Sequence, residues 1–204
     1  MKKRTQLAFT LMELMVVLSI AGVILTLAVP NIQSFVRNNR MTGAANDMLT
    51  SLSMARNESI KLQQPVALCA STSPTAANPA CTVGTFSSGW VVWVDANNNG
   101  LHDNGERVVS AHGPLETSIS AGGNNSYLVS YAATGFAQTN PGGRVTTTQI
   151  AMCDERHNVA TMGSDQLSAA RAVTINPTGR ARVTRIVSEI QTAITAIGAF
   201  GNCT

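Results

Sequence analysis

The residues best suited to direct chemistry form a run of acidic and amide side chains in the middle of the chain. The run begins at Asp95 and ends at Glu106, and its spacing, D-x-N-x-N-G-x5-E, is typical of calcium-binding loops. The expected ligands are the side chains of Asp95, Asn97, Asn99, Asp103 and Glu106, with the carbonyl of Leu101. Asp, Asn and Gly also build tight connections between strands without a metal. A calcium site and a plain loop both stay open, and the plain loop is favoured because the run follows a predicted strand.

A second candidate site is basic. Four arginines lie between positions 171 and 187, a segment without Asp or Glu, namely Arg171, Arg180, Arg182 and Arg185. Gly179 predicts a turn, and alternation along a strand is expected to place Arg180 and Arg182 on the same side. Such groups neutralise phosphates without reading bases, which predicts binding of double-stranded DNA without sequence preference. The alternatives are a solvated basic hairpin and a salt-bridged face toward a neighbouring subunit.

The sequence predicts no enzyme. His102, His112 and His157 lie in polar turn regions, and the chain has no G-x-S-x-G, P-loop or GxGxxG motif. We therefore expect no small-molecule substrate, and no cofactor other than a calcium ion in the loop from Asp95 to Glu106.

The four cysteines predict two disulfides formed in an oxidising compartment. None lies in a CxxC motif or at zinc-ligand spacing from a histidine. Four cysteines allow three pairings. The expected one joins Cys69 to Cys81, closing a short polar loop, and Cys153 to Cys203, which ties down the C-terminal segment. Free buried thiols are the alternative.

The elements that must position these residues begin with a membrane-length helix. Residues 9–29 are predominantly apolar, contain a single ionisable group, Glu13, and are long enough to span a bilayer. Lys2, Lys3 and Arg4 precede them and favour a cytoplasmic N-terminus. These three residues supply the whole net charge of +3, so the rest of the chain has eleven basic and eleven acidic side chains. That balance excludes a globally basic nucleic-acid-binding protein.

The helix is predicted to continue, bent near Pro30, as an amphipathic segment up to Pro65. Its apolar residues follow a spacing of three and four and are Met41, Ala45, Met48, Leu52, Ala55 and Leu62. Beyond it, strand patterns separated by turn residues occur at 66–70, 90–94, 107–111, 127–131, 145–153, 172–175 and 181–187. The predicted fold class is α+β, a long N-terminal helix packed against an antiparallel β-sheet head.

The N-terminal residues AFTLME, at 8–13, resemble the processing site of class III prepilins. The resemblance implies that prepilin peptidase cuts after Ala8, which stands where the family usually has Gly, and that Phe9 becomes the methylated N-terminus. It also implies that Glu13 pairs with the α-ammonium of Phe9 in a neighbouring subunit during assembly. A carboxylate inside an apolar segment usually marks function; the alternative places Glu13 at the hydrated membrane interface.

Several head segments resemble the FimT-type minor pilins and pseudopilin H of type II secretion. They are ARNESI at 55–60, PVALC at 65–69, GWVVWVD at 89–95, GERV at 105–108, Met152-Cys153, INPTGR at 175–180 and Cys203. Within them, Gly179-Arg180-Ala181-Arg182 resembles the GRxR motif that DNA-binding FimT-type pilins use in natural transformation. The resemblance implies a pilin-like fold and two functions, a minor pilin of a type IV pilus or a pseudopilin of a secretion piston.

The expected organisation has four parts: a leader at 1–8, a transmembrane helix at 9–29, its amphipathic continuation at 30–64 and a periplasmic head at 65–204. The expected location is the inner membrane, crossed once, and then a pilus or pseudopilus. The expected partners are other pilins or pseudopilins, prepilin peptidase and DNA.

Overall fold

The computed structural model describes residues 10–82, 85–124, 127–158, 160–161, 164–198 and 200–203. The chain divides into two compact units, one up to Arg40 and one from Met41 onward. Helix α1, Leu11–Leu62, contributes to both, and Pro30 lies inside it.

The first unit is apolar and exposed. Large side chains such as Leu11, Leu18 and Ile24 are each more than half exposed. The hydroxyls of Ser19 and Thr26 donate to backbone carbonyls one turn back in the helix, so neither group requires water. Of the helices in the described part of the chain, α1 is the one that is long and apolar enough to cross a membrane.

The second unit contains two antiparallel sheets and a short helix. The first sheet has the order β3-β2-β1-β5-β6 and the second β10-β9-β7-β4, with β8 paired to β9. The elements are β1 Val66–Ala70, β2 Trp90–Val94, β3 Val108–His112, β4 Ser120–Gly123, β5 Leu128–Tyr131, β6 Ala137–Gln138, β7 Gln149–Cys153, β8 Ala160–Thr161, β9 Ser164–Ile175, β10 Ala181–Ile186 and α2 Val187–Ile197.

The core of the second unit lies between α1 and the inner faces of both sheets. The predicted helix stripe is buried here: Met41, Met48 and Leu52 are fully inaccessible and pack with Trp90 and Tyr131. The indole N–H of Trp90 donates to Ser51 Oγ at 2.9 Å, which satisfies the polar atom that burial of this side chain would otherwise leave without a partner.

The outer faces of both sheets are also covered, which explains why every residue of β1 and β2 is buried. A small cluster that includes Cys69 and Trp93 lies on the outer face of the first sheet, with Cys81 packed against it. On the second sheet, α2 contributes Ile190 and Ile194 to a cluster with β7 and β9.

A disulfide joins each sheet to the segment that covers its outer face. Cys69–Cys81 joins the first sheet to its covering loop, and Cys153–Cys203 joins the second sheet to the segment after α2. Both predicted pairings are therefore present, and no cysteine in the described residues is free.

The predicted fold class is confirmed, with corrections to individual elements. Strands β1 and β2 have the predicted bounds, whereas β7 begins at Gln149 rather than at position 145, and β9 begins at Ser164 rather than at 172. Strand β4 and helix α2 were not predicted. The apolar spacing of Ile190, Ala193, Ile194 and Ile197 is that of an amphipathic helix and could have identified α2.

Candidate functional site

The predicted basic site lies at the turn between β9 and β10. Asn176 N donates to the Arg180 carbonyl at 2.9 Å, and Gly179 N donates to the Asn176 carbonyl at 2.8 Å. Gly179 has a φ of +80°, a conformation that costs little for glycine alone. The sequence Asn-Pro-Thr-Gly therefore forms the predicted turn and presents Arg180 directly after it.

A second turn, between β5 and β6, packs against this one. Ala137 N donates to the Pro177 carbonyl at 3.1 Å. A Cβ on Gly179 would overlap the carbonyl oxygen of Gly135 and lie 3.0 Å from Arg56 Nε. Gly179 is thus required twice, for its backbone conformation and for the close approach of the two turns.

Arg56 of helix α1 holds both turns together. Its Nε donates to the Gly135 carbonyl at 3.0 Å, and its Nη2 donates to the Thr178 carbonyl at 3.1 Å. No role was predicted for Arg56 from the sequence, although it lies within the ARNESI segment. A position off the apolar stripe indicated only that the residue is not part of the core.

Arg180 is exposed, and its guanidinium makes no hydrogen bond or ion pair within the described residues. It lines a cleft of about 330 Å³ together with Ser53, Arg56, Asn57 and Gly179. None of the described residues that line this cleft is acidic. The Ser53 hydroxyl already donates to the Leu49 carbonyl at 2.7 Å, so the donors that an anionic oxygen would find in this space are two guanidinium groups and the Asn57 amide, with no like charge beside them.

Arg182 is partly neutralised. Its Nη2 lies 3.3 Å from Glu189 Oε2 on α2, and the Arg182 side chain remains 53% exposed. A hydrogen bond from Thr184 and the pairing with Arg182 lower the pKa of Glu189, so the pair is charged at neutral pH. Arg180 and Arg182 thus do not lie on the same side as predicted: Arg180 lies beside the α1 cleft, whereas Arg182 lies next to α2, which covers the outer face of the second sheet.

Arg171 does not belong to the surface, and its assignment as a DNA-binding residue is wrong. Its side chain is 2% exposed, and its guanidinium donates to the carbonyls of Ser168, Ala169 and Ala170 and to Thr42 Oγ1. Burial, followed by the charges of Arg185 and Arg156, lowers its pKa to about 10, so it remains a cation.

The reason is strand parity. Arg171 lies on the same face of β9 as Val173 and Ile175, whose side chains belong to the core. Arg182 pairs with Thr174, which lies on the opposite face of β9. Arg185, the fourth predicted arginine, is half-buried, and its Nε is buried without a hydrogen-bond partner. We therefore restrict the candidate surface to Arg180 and Arg182.

The loop from Asp95 to Glu106 is closed by its own hydrogen bonds. Asp95 accepts from the backbone N–H groups of Asn99 and Gly100, Glu106 accepts from those of Ala96 and Asp103, and Asp103 accepts from the side-chain amides of Asn97 and Asn99. Burial raises the pKa of Asp95.

In this arrangement each of the three carboxylates accepts N–H donors, and the calcium site stays a prediction from the spacing. No group of three or more acidic, His or Cys side chains within the described residues could hold a metal. The hydrogen bonds account for the Asp- and Asn-rich composition as a plain loop between two strands.

The N-terminal site is described in part. Ala8 and Phe9 lie outside the described residues. Glu13 is in the first turn of α1, where its N–H donates to Thr10 Oγ1 at 3.2 Å. It is the one acidic or basic residue between positions 10 and 36.

Comparisons with known proteins concern the fold and the N-terminal segment. A family model described as type II transport protein GspH matches residues 44–179, and one described as the prokaryotic N-terminal methylation motif matches residues 3–29. No curated protein sequence matches the chain closely enough to count as a relative.

Among solved structures, a crystal structure of the Pseudomonas aeruginosa type IV minor pilin FimU is similar. It is 17% identical, with a TM-score of 0.50, covering 74% of this chain and 92% of FimU. A second crystal form of FimU is 15% identical with a TM-score of 0.47, covering 70% and 91%. The first match shows a shared pilin fold, a long helix followed by an antiparallel β-sheet head.

Proposed function

We propose that this chain, which belongs to the family of type II transport protein GspH, is a minor pilin of a type IV pilus and binds DNA through its head. The observation that carries the assembly role is the exposed apolar surface of the first unit, where Glu13 is the one acidic or basic residue between positions 10 and 36. Exposed apolar surface of this extent must be covered by lipid before assembly and by other subunits afterwards.

The processing steps are proposed for the same segment. Prepilin peptidase is proposed to remove residues 1–8 by cutting after Ala8, and Phe9 is proposed to become the methylated N-terminus. The α-ammonium created by the cut then pairs with Glu13 of a neighbouring subunit, which offsets the desolvation of both charges. The proposed location is the inner membrane with the head in the periplasm, consistent with two disulfides. The role is structural and requires no catalysis and no cofactor.

Arg180 carries the DNA-binding part of the proposal. Its exposed guanidinium lacks a partner in the described residues and lies beside the cleft that also contains Arg56. Arg182 adds a second contact once a phosphate replaces Glu189 as its partner. Two phosphate contacts predict weak binding without sequence preference, with a slope of log affinity against log salt of about −2.

The test measures anisotropy of a labelled DNA duplex with the full-length chain in detergent at low salt. Arg180→Gln combined with Arg182→Gln should abolish binding. Glu189→Gln should strengthen it, because Arg182 loses its competing partner. Arg107→Gln and Glu116→Gln each remove one charge outside the cleft, which matches one half of the arginine double variant and Glu189→Gln respectively, and should have little effect. If the charge-matched controls act as strongly as the site variants, only overall charge matters and the site proposal is wrong.

The family match also favours a second candidate, a pseudopilin of a type II secretion system, since the matching model is described as a type II transport protein. A secretion piston needs the membrane helix and the head but no phosphate-binding surface. Deletion of the gene, complemented by Arg180→Gln with Arg182→Gln, separates the two. DNA uptake that fails while fibres still form supports the minor pilin, whereas loss of protein secretion on deletion supports the pseudopilin.

A further inference from the structure

We infer that the turn between β5 and β6 adds a base-stacking site beside Arg180, so that the preferred ligand of the head is single-stranded DNA. This inference rests on the proposed DNA-binding function and deepens it. The residue concerned is Phe136, the last residue of that turn, whose side chain is 55% exposed. Of the aromatic side chains described in the second unit, Phe136 alone is this exposed.

The position of Phe136 is fixed from both sides. Within its own turn, Ala132 N donates to the Phe136 carbonyl at 2.9 Å. The residue before it, Gly135, accepts from Arg56 and packs against Gly179, and the residue after it, Ala137, donates to Pro177. Phe136 therefore lies between two residues that both contact the turn leading into Arg180.

A nucleic-acid strand uses these two features together. The Arg180 guanidinium, with the donors of the cleft, binds a phosphate oxygen, and a base attached to the same strand stacks on the ring of Phe136. Every base has an aromatic face, so the contact is independent of sequence. In a duplex the bases are stacked on one another and cannot reach Phe136. A single strand, or a frayed duplex end, gains a contact that intact duplex does not.

The experiment compares a labelled oligothymidylate with a duplex that carries the same number of phosphates, both bound to the full-length chain in detergent. Phe136→Ala should weaken binding of the single strand about tenfold and leave duplex binding within about twofold. Phe136→Trp should retain single-strand affinity, and its added emission should be quenched by oligothymidylate. Val108→Ala, which truncates an exposed apolar side chain on the opposite edge strand, should change neither affinity.

The outcomes distinguish a failure of base stacking from a failure of the proposed DNA-binding function. If Phe136→Ala weakens both ligands equally or neither, while Arg180→Gln weakens both, stacking is wrong and phosphate binding stands. If Arg180→Gln also leaves both ligands bound as before, the DNA role is wrong altogether. If Phe136→Ala leaves DNA binding intact but reduces incorporation of the subunit into fibres, Phe136 is a contact between subunits and the inference is overturned.

Discussion

Substituting Gly179 by alanine should separate the two turns that form the candidate site, and Gly143→Ala provides a matched control. Gly179 and Gly143 have nearly the same positive φ, +80° and +82°. They differ in surroundings: a Cβ on Gly143 would meet no heavy atom within 4 Å, whereas one on Gly179 would overlap the Gly135 carbonyl. The difference between the two alanine variants therefore isolates the effect of that close approach.

The magnitude depends on the contacts that must give way. The left-handed conformation costs alanine about 1–2 kcal/mol, and reduced freedom of the unfolded chain returns about 0.4–1 kcal/mol, so Gly143→Ala should cost about 1 kcal/mol. Gly179→Ala additionally separates the two turns. That separation breaks the hydrogen bonds of Arg56 to Gly135 and Thr178, and the loss of each of these two bonds from a charged donor costs about 1.5–3 kcal/mol. Gly179→Ala should then cost about 3–6 kcal/mol more than the control.

Urea unfolding of the oxidised chain in detergent, followed by the emission of the buried Trp90 and Trp93, measures both variants on the same scale. DNA binding of Gly179→Ala below its unfolding transition should also be weaker, because Arg180 is no longer held beside the cleft. Equal unfolding free energies for the two variants, within about 0.5 kcal/mol, would mean that the turns adjust freely. The roles assigned to Gly179 and Arg56 in holding the turns together would then be wrong.

Three further results are expected. Intact-mass measurement of the membrane form should show loss of residues 1–8 and a methylated Phe9, and a chain that retains Met1 would contradict the proposed processing. Glu13→Gln should insert in the membrane normally, since it removes a charge from an apolar segment, but should enter fibres less efficiently than the parent chain; normal incorporation would leave Glu13 without a role in assembly. Cys203→Ser should lower the free energy of unfolding by about 4 kcal/mol and Cys81→Ser by about 3 kcal/mol, because their disulfides close stretches of 50 and 12 residues. A larger loss for Cys81→Ser than for Cys203→Ser would argue against an origin in chain entropy.

Elements with strong local patterns could be predicted from the sequence. The stripe that begins at Met41 and the strands β1 and β2 have the predicted positions because their periodicity and bounding turn residues are local properties. Helix α2 was missed although its apolar spacing is regular: the predicted strand 181–187 ended at its first residue, and no element was predicted beyond. Strand β4 contains two glycines and has little strand propensity, so only its pairing with β7 defines it.

The candidate site was predictable in composition but not in arrangement. Arg180 and Gly179 stand out as a basic turn, yet nothing local indicates that a second turn, about 40 residues earlier in the chain, lies against them. The role of Arg56 depends on two carbonyl acceptors from distant turns and has no signature in its own neighbourhood. For Arg171, counting strand parity from Val173 would have placed it in the core, so this error came from weighing charge above alternation.

The disulfide from Cys153 to Cys203 has a mechanical consequence for a subunit of a fibre under tension. It closes a stretch of 50 residues, which fully extended would measure about 170 Å. Arg180 lies inside that stretch, 27 residues after Cys153 and 23 before Cys203, so a load applied there through bound DNA is shared by both arms of the closed loop, and the shorter arm limits the extension. A load applied at Cys203 instead passes across the bridge directly into β7. Reduction removes this shortcut, and single-molecule pulling from Cys203 should then show an added extension of roughly 170 Å.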